Sequence, residues 1–378
     1  MKPTTPYTGW QQRLTFLIAV GAGVTSVSSL VLDIRLIQPL VAQPLPPYQN
    51  PLPSGVNPAA PFDASPSALT DNPWKNVQVV RTLQGHSGTI DAIAFSPDNK
   101  ILISGGGDND ANLKFWLLKT GREVETLRAQ RIGISDLAMS PDGKILVSCG
   151  EDGAVNLWNW ETKKYTRTFT EHSSNVLSVA ISPDSRILVS GGLDGIKVWD
   201  LQAARPLYDL ALFNNSTYTV AVRADNQTLA SGGKGTNIKL WNLKTGKLIS
   251  NISGNGGEVT ALKFTPDGKY LVSGSSDRTI KVWNLKTNQP VFSLFGHTDT
   301  IRGLAISPDG QTLASSSRDG VRLWDLRSGA LITRLTQHSD WVSSVAFSPD
   351  GKMLATGGLD QLINVWRYDG LMIPKTSK

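Results

Sequence analysis

The side chains best suited to catalysis near neutral pH are four histidines: His86, His172, His297 and His338. A histidine can act as a general base, activate a serine or bind zinc. All four, however, fall at the same place in a sequence unit that recurs along the chain. Recurrence at one position indicates a structural role. The sequence therefore predicts a non-enzymatic chain, with no catalytic residues, no cofactor and no metal ligands.

Three short patterns could also carry chemistry, and each has a simpler interpretation. Segment 108–112 (DNDAN) begins like a calcium loop, but it lacks glycine at the sixth position and has Lys119 at the twelfth. We interpret it as a turn with two inserted residues. Segment 233–235 (GKG) lacks the Ser or Thr that follows lysine in a phosphate loop. Cys149, the single cysteine, is expected to be a buried structural thiol, which excludes an intrachain disulfide.

Composition favours a folded protein built from many short strands. Hydrophobic residues make up 40% of the 378 residues and charged residues 18%, with 35 Gly and 21 Pro. The net charge is +6, of which residues 1–75 carry +1 and the remainder +5. This bias is too mild and too spread out to predict nucleic-acid binding.

Two independent markers recur with the same period from residue 76 onward. Tryptophans lie at positions 116, 158, 199, 241, 283, 324 and 366, with gaps of 41 or 42. A turn motif of the SPDG type keeps the same step, beginning at residues 96, 140, 182, 223, 265, 307 and 348. Seven copies of a unit of 40–45 residues with several short strands predict the blades of a β-propeller, which we number 1 to 7 in chain order.

The sixth copy illustrates why each unit should form four antiparallel strands. Strands are predicted at Thr300–Ile306, Thr312–Ser316, Val321–Trp324 and Leu331–Leu335, each bounded by turn residues. One such sheet cannot bury both faces, whereas seven stacked around an axis can. After Trp366 too few residues remain for a fourth strand. Segment 77–86 aligns with fourth strands elsewhere, so it is expected to complete blade 7 and close the ring.

These features resemble the WD-repeat (beta-transducin-like) propeller family over about residues 77–370. The resemblance implies a hydrogen-bonded set in each blade, made of His, Ser or Thr, Asp and Trp. The residues that match by position are His86, Ser104 and Trp116 in blade 1; His172, Ser190, Asp194 and Trp199 in blade 3; His297, Ser315, Asp319 and Trp324 in blade 6; and His338, Thr356, Asp360 and Trp366 in blade 7.

Other blades depart from that pattern. In blade 1, either Asp108 or Asp110 could supply the acid. The histidine position is occupied by Gln130 in blade 2, Asn255 in blade 5 and Phe213 in blade 4. Blade 4 also has Gly235 at the aspartate position, and we therefore expect it to be the least stable blade.

Partner binding is expected on the face that, in the family the chain resembles, is lined by the loops entering the first strands. Near that face the sequence places Asp91, Tyr218, Arg302 and an exposed Trp341. Such side chains commonly anchor protein interfaces. On this basis the chain is predicted to be a scaffold that binds other proteins. Binding of an anionic ligand or nucleic acid is an alternative, and an enzyme in the central channel, where Asp91 is the only obvious acid, is a further one.

The N-terminal part of the chain predicts a membrane connection. We divide it into a polar segment (1–13), an uncharged apolar segment (14–32) and a Pro-rich linker (33–75), ahead of the propeller (76–370) and a tail (371–378). Residues 14–32 are long enough to span a bilayer as a helix. They predict a signal anchor or, alternatively, a cleaved signal peptide with a secreted or periplasmic product.

The charges around that segment predict its orientation. Lys2 and Arg13 precede it, whereas Asp33 and Arg35 cancel on the other side. By the positive-inside rule the N-terminus would be cytoplasmic and the propeller extracytoplasmic.

Overall fold

The computed structural model describes residues 72–107, 110–210 and 216–368. Within these ranges the chain forms one short 3-10 helix, Pro73–Asn76, and 28 β-strands. The described residues contain no helix of the length and hydrophobicity that a bilayer crossing requires. The predicted span at 14–32, the tail at 371–378 and nearly all of the linker lie outside the described residues, as do Asp108 and Phe213.

The strands form seven separate four-stranded antiparallel sheets in the described residues, so the chain is an all-β, seven-bladed propeller. Blade 1 contains β2 (Ile90–Phe95), β3 (Ile101–Gly106), β4 (Asn112–Leu117) and β5 (Arg122–Arg128). Blade 2 contains β6 (Ile134–Met139), β7 (Ile145–Gly150), β8 (Val155–Asn159) and β9 (Tyr165–Phe169). Blade 3 contains β10 (Val176–Ile181), β11 (Ile187–Gly192), β12 (Gly195–Asp200) and β13 (Arg205–Leu210).

The remaining blades repeat this order. Blade 4 contains β14 (Thr217–Val222), β15 (Thr228–Gly233), β16 (Ile238–Asn242) and β17 (Leu248–Ile252). Blade 5 contains β18 (Val259–Phe264), β19 (Tyr270–Ser275), β20 (Ile280–Asn284) and β21 (Gln289–Leu294). Blade 6 contains β22 (Gly303–Ile306), β23 (Thr312–Ser317), β24 (Gly320–Asp325) and β25 (Leu331–Leu335). Blade 7 contains β26 (Val342–Phe347), β27 (Met353–Gly358) and β28 (Leu362–Arg367).

The N-terminal strand supplies the fourth strand of blade 7. Strand β1 (Gln78–Gln84) pairs antiparallel with β28, with Thr82 opposite Asn364. The Thr82 hydroxyl donates a hydrogen bond to the Asn364 side-chain oxygen at 2.7 Å. The ring is therefore closed by pairing the two ends of the array, which removes an unpaired sheet edge.

The first strand of blade 6 is shorter than the predicted Thr300–Ile306. It begins only at Gly303, because the backbone N–H of Arg302 turns to the carbonyl of Ser316 (2.8 Å) outside the regular pairing. Gly303 lies opposite Ser316 in the register.

Hydrophobic packing occurs between blades, not within them. The buried apolar side chains form seven clusters, and each cluster draws residues from two adjacent blades. At the junction of blades 2 and 3, for example, Val147 and Cys149 pack with Val176, Leu188 and Trp199. Each sheet thus buries both faces against its neighbours, as the repeat period predicts.

Candidate functional site

The histidines belong to buried hydrogen-bonded sets in blades 1, 3, 6 and 7. In each, the tryptophan Nε1–H donates to the serine or threonine hydroxyl at 2.8–3.0 Å. Histidine Nε2 lies 2.6–2.8 Å from that hydroxyl. Histidine Nδ1 lies 2.5–2.9 Å from the aspartate carboxylate. The hydroxyl oxygen accepts a hydrogen bond from tryptophan, so the hydroxyl O–H can donate one to histidine Nε2. The histidine Nδ1–H then donates a hydrogen bond to the aspartate carboxylate.

Burial favours the neutral form of three of these histidines. It lowers the pKa of His86, His172 and His297 more than the neighbouring carboxylates raise it. Burial acts against the charged form of Asp194 and Asp319 as well, but the hydrogen bonds they accept, first from the histidines, hold the pKa of both below its ordinary value. Both rings and carboxylates are thus committed to fixed contacts between strands.

Asp110 is the acid of blade 1. Its Oδ2 meets His86 and also accepts a hydrogen bond from the Ser87 amide, while its Oδ1 accepts one from Asn112. Asp110 is therefore fully engaged and only 2% exposed. The other candidate, Asp108, lies outside the described residues. In the part of the chain that is described, no cluster of three or more His, Cys, Asp or Glu side chains is arranged to hold a metal ion.

Blades 2 and 5 use an amide in place of histidine. Asn255 Oδ1 accepts a hydrogen bond from Ser273 at 3.0 Å, and Ser273 in turn accepts from Trp283. Gln130 is different: its side-chain oxygen accepts from Asn156 at 2.6 Å, leaving Ser148 bonded to the tryptophan alone. An amide at this position therefore preserves the chain of hydrogen bonds in blade 5 but not in blade 2.

In blade 4 the set is reduced to a single hydrogen bond between described residues. Trp241 Nε1–H donates to Ser231 at 2.8 Å. Gly235 offers no side chain, and a Cβ built at that position would meet nothing within 4 Å. Even so, the four strands of blade 4 pair as in the other blades, because its tryptophan packs with apolar residues of blade 3.

The first strands of all seven blades surround a central channel with a cavity volume of about 740 Å³. Three of the residues predicted for partner binding, Asp91, Tyr218 and Arg302, line this channel. Arg302 is exposed, and its guanidinium carbon lies 4.7 Å from the centre of the Trp341 ring. Trp341 is half-buried, whereas the sequence predicted an exposed side chain. The four residues therefore fall into one region, with Arg302 joining the channel to Trp341.

Three charged residues of the channel, Asp136, Glu151 and Lys263, were not found from the sequence. Asp91 was identified as its only obvious acid, but Asp136 of blade 2 also lines the wall. Burial raises the pKa of the Asp136 carboxyl group, against the opposing charge of Lys263 and the hydrogen bonds donated by the Val179 and Leu137 amides. Lys263 of blade 5 lines the channel too, and its side chain is exposed there.

Side chains of neighbouring first strands are linked around part of the channel. In each of three links, a side-chain oxygen on one blade accepts a hydrogen bond from a backbone N–H of the next blade. The pairs are Asp136 with the Val179 amide, Ser178 with the Val220 amide and Thr219 with the Leu262 amide. These bonds join blades 2 to 3, 3 to 4 and 4 to 5. On blades 6 and 7 the pattern changes: the buried hydroxyl oxygens of Ser316, Ser343 and Ser344 meet no hydrogen-bond partner among the described residues.

The opposite face carries mixed charge. Lysines beside the SPD turns pair with their own aspartates, as Lys100 does with Asp98 and Lys269 with Asp267. These side chains are strongly exposed, so such pairs add little stability. Lys163 instead lies over the Trp160 ring at 3.0 Å, and burial lowers its pKa.

Comparison with known proteins accounts for the repeats. The family described as WD domain, G-beta repeat matches residues 77–116, 121–159, 163–200, 246–284, 288–325 and 329–367, more than half of the chain. The stretch left unmatched before residue 246 contains the first three strands of blade 4, the blade that departs most from the pattern. None of the curated proteins compared with the chain matches it. With six matched segments and seven four-stranded blades closed into a ring, the chain belongs to the WD40 repeat family.

Proposed function

We propose that the chain is a non-catalytic scaffold that binds a protein partner at the channel mouth around Arg302 and Trp341. WD40 propellers are typically protein-interaction scaffolds. The binding site is placed there because the exposed Arg302 guanidinium contacts the Trp341 ring. Arginine and tryptophan are the residue types that most often dominate binding energy at interfaces.

The contact also favours binding by limiting the motion of Arg302. A free arginine loses rotamer freedom when a partner captures it. Stacking on Trp341 orders the guanidinium in advance, and such contacts contribute about 0.5–2 kcal/mol. The hydrogen-bond donors at its edge then remain available to a partner's carboxylate or carbonyl groups. Asp91 and Tyr218, on other walls of the same channel, extend the surface.

A non-catalytic role agrees with the state of the histidines. Each of the four is bound on both ring nitrogens inside its blade. A general base needs a nitrogen that can reach substrate. The partner is proposed to be a protein and not nucleic acid, since the +5 charge outside residues 1–75 is spread thinly.

Membrane attachment is part of the proposal and rests on the sequence alone. Residues 14–32 would anchor the chain with its N-terminus in the cytoplasm, and the linker would hold the propeller on the other side. Cleavage of that segment would instead release the propeller as a secreted or periplasmic protein. Membrane fractionation followed by N-terminal sequencing distinguishes these outcomes.

The test of the binding site is quantitative capture of proteins from the native membrane fraction by full-length wild type, two variants of the site and one control variant. Trp341→Ala and Arg302→Ala should each lower recovery of the same partner at least tenfold, because truncating an interface anchor costs about 2 kcal/mol or more. Lys119→Ala removes an exposed cation from the third turn of blade 1 and serves as the matched control. Equal capture by all four proteins would exclude this surface.

A further inference from the structure

One position of the propeller is alanine in every blade except blade 5. The fifth residue of the first-strand unit is Ala94, Ala138, Ala180, Ala221, Ala305 and Ala346 in the other six blades. In blade 5 it is Lys263, whose side chain is exposed and lines the central channel. Packing does not require a long side chain at this position, since six blades pack without one. The lysine is therefore a feature of the channel and not of the fold.

The Lys263 ammonium group has donors that the described residues leave unused. No hydrogen bond and no ion pair joins Lys263 to another residue in ranges 72–107, 110–210 and 216–368. Its charge acts on Asp136 across the channel, but that carboxylate already accepts hydrogen bonds from the Val179 and Leu137 amides. An ammonium group has three donors, so those of Lys263 can serve a ligand.

Charges of opposite sign occupy different parts of the channel wall. The acidic residues that line it, Asp91, Asp136 and Glu151, belong to blades 1 and 2. The basic residues, Lys263 and Arg302, belong to blades 5 and 6. The side of the channel formed by blades 5 to 7 is thus positively charged and suited to an anion.

The same side also offers hydroxyl groups. Ser343 and Ser344 of blade 7 line the channel, and their buried oxygens lack partners among the described residues. Between them and Lys263 lies Gly303, which presents no side chain. A Cβ at that position would approach Ser316 Oγ to 2.8 Å and the Ser343 carbonyl to 3.2 Å. The backbone of blade 6 is therefore closely packed against blade 7 at this point, beside serine hydroxyl groups that have no partner among the described residues and can donate to an oxyanion.

We infer that the side of the channel formed by blades 5 to 7 binds a small oxyanion, a carboxylate or a phosphate, through Lys263 and the serine hydroxyls of blade 7. A cavity of about 740 Å³ is within the range of small-molecule sites. The two proposals depend on different side chains, because Lys263 belongs to blade 5, whereas Arg302 and Trp341 of the proposed protein contact belong to blades 6 and 7.

Titration calorimetry on the full-length chain tests the inference, with inorganic phosphate and succinate as separate probes at constant ionic strength. Saturable binding of either is expected, and the stronger of the two identifies the chemistry. Lys263→Ala restores the residue found in six blades, so the fold should persist, and affinity should fall roughly ten- to hundred-fold as a charge-assisted hydrogen bond is lost.

Two further variants sharpen the result. Lys269→Ala removes an equal charge from the exposed turn of the same blade and should leave affinity unchanged. Ser344→Ala copies Ala92 and Ala261 at the equivalent position and should weaken binding several-fold. Absence of saturable binding by wild type, or equal affinity in wild type and Lys263→Ala, would overturn the inference. Protein capture through Trp341 would be unaffected by either outcome, so the two proposals fail separately.

Discussion

The contribution of the buried hydrogen-bonded sets can be measured by one substitution in two blades. Ser190 in blade 3 and Ser148 in blade 2 are both 0% exposed and occupy the same position in the repeat. Ser190 bonds both Trp199 and His172, at 2.9 and 2.7 Å. Ser148 bonds only Trp158, at 3.1 Å. Alanine at each position removes the same atom from two different networks.

The expected costs follow from the number of groups left without a partner. A buried polar group deprived of its hydrogen bond costs about 1–3 kcal/mol. Ser190→Ala leaves both the indole N–H of Trp199 and Nε2 of His172 unsatisfied, so the unfolding free energy should fall by about 2–6 kcal/mol. Ser148→Ala leaves only the indole N–H of Trp158, so the loss should be about 1–3 kcal/mol.

Thermal unfolding of the two variants beside wild type provides the assay. For large domains 1 kcal/mol lowers Tm by about 2 °C, so Ser190→Ala should melt about 4 °C or more below wild type and clearly below Ser148→Ala. Equal losses, or a larger loss in Ser148→Ala, would refute the view that histidine bound to serine strengthens the blade.

Further predictions concern pH, local stability and thiol reactivity. Burial lowers the pKa of His172 in the folded state, so the unfolded chain binds a proton at this residue more readily. The stability that neutral His172 contributes is therefore complete above about pH 6.5 and declines as the pH falls below that value. His172→Gln, which copies blade 2, should flatten the fall in Tm between pH 7 and pH 5; an unchanged slope would contradict this. Backbone amide hydrogen exchange should be fastest in blade 4, because its buried hydrogen-bonded set retains only the bond from Trp241 to Ser231 among the described residues. Faster exchange in another blade would contradict this prediction. Cys149 is buried, and burial raises the pKa of its thiol well above the ordinary value. A thiol reagent should therefore modify Cys149 only as the chain unfolds. Rapid labelling of the folded chain would contradict this prediction.

Much of the fold could be predicted because the repeat carries two markers in phase. The tryptophan spacing predicted seven blades, and the segment before blade 1 predicted ring closure through β1, which the pairing with β28 confirms. The start of β22 was predicted too early. The residue types at 300–302 do not reveal that the backbone N–H of Arg302 donates to the Ser316 carbonyl outside the regular strand pairing.

The channel was harder to predict, because its charged residues occupy strand positions that elsewhere hold small side chains. Asp136 and Lys263 read as ordinary strand residues when each copy is considered alone. A comparison of the fifth positions would have identified Lys263, since six copies have alanine there. Apart from the hydrogen-bonded sets that the family resemblance implied in blades 1, 3, 6 and 7, contacts between side chains did not follow from the sequence pattern. The stacking of Arg302 on Trp341, and the pairing of Gln130 with Asn156 instead of Ser148, depend on rotamers in three dimensions.

The proposed function requires that a protein partner contacts Arg302 and Trp341 at the channel mouth. The most direct measurement is photo-crosslinking in the native cell, with a photoreactive phenylalanine analogue replacing Trp341 in one full-length variant and Lys119 in another. Position 341 should yield a discrete crosslinked protein, and position 119, in the third turn of blade 1, should not. A partner crosslinked from position 119 and never from position 341 would contradict it.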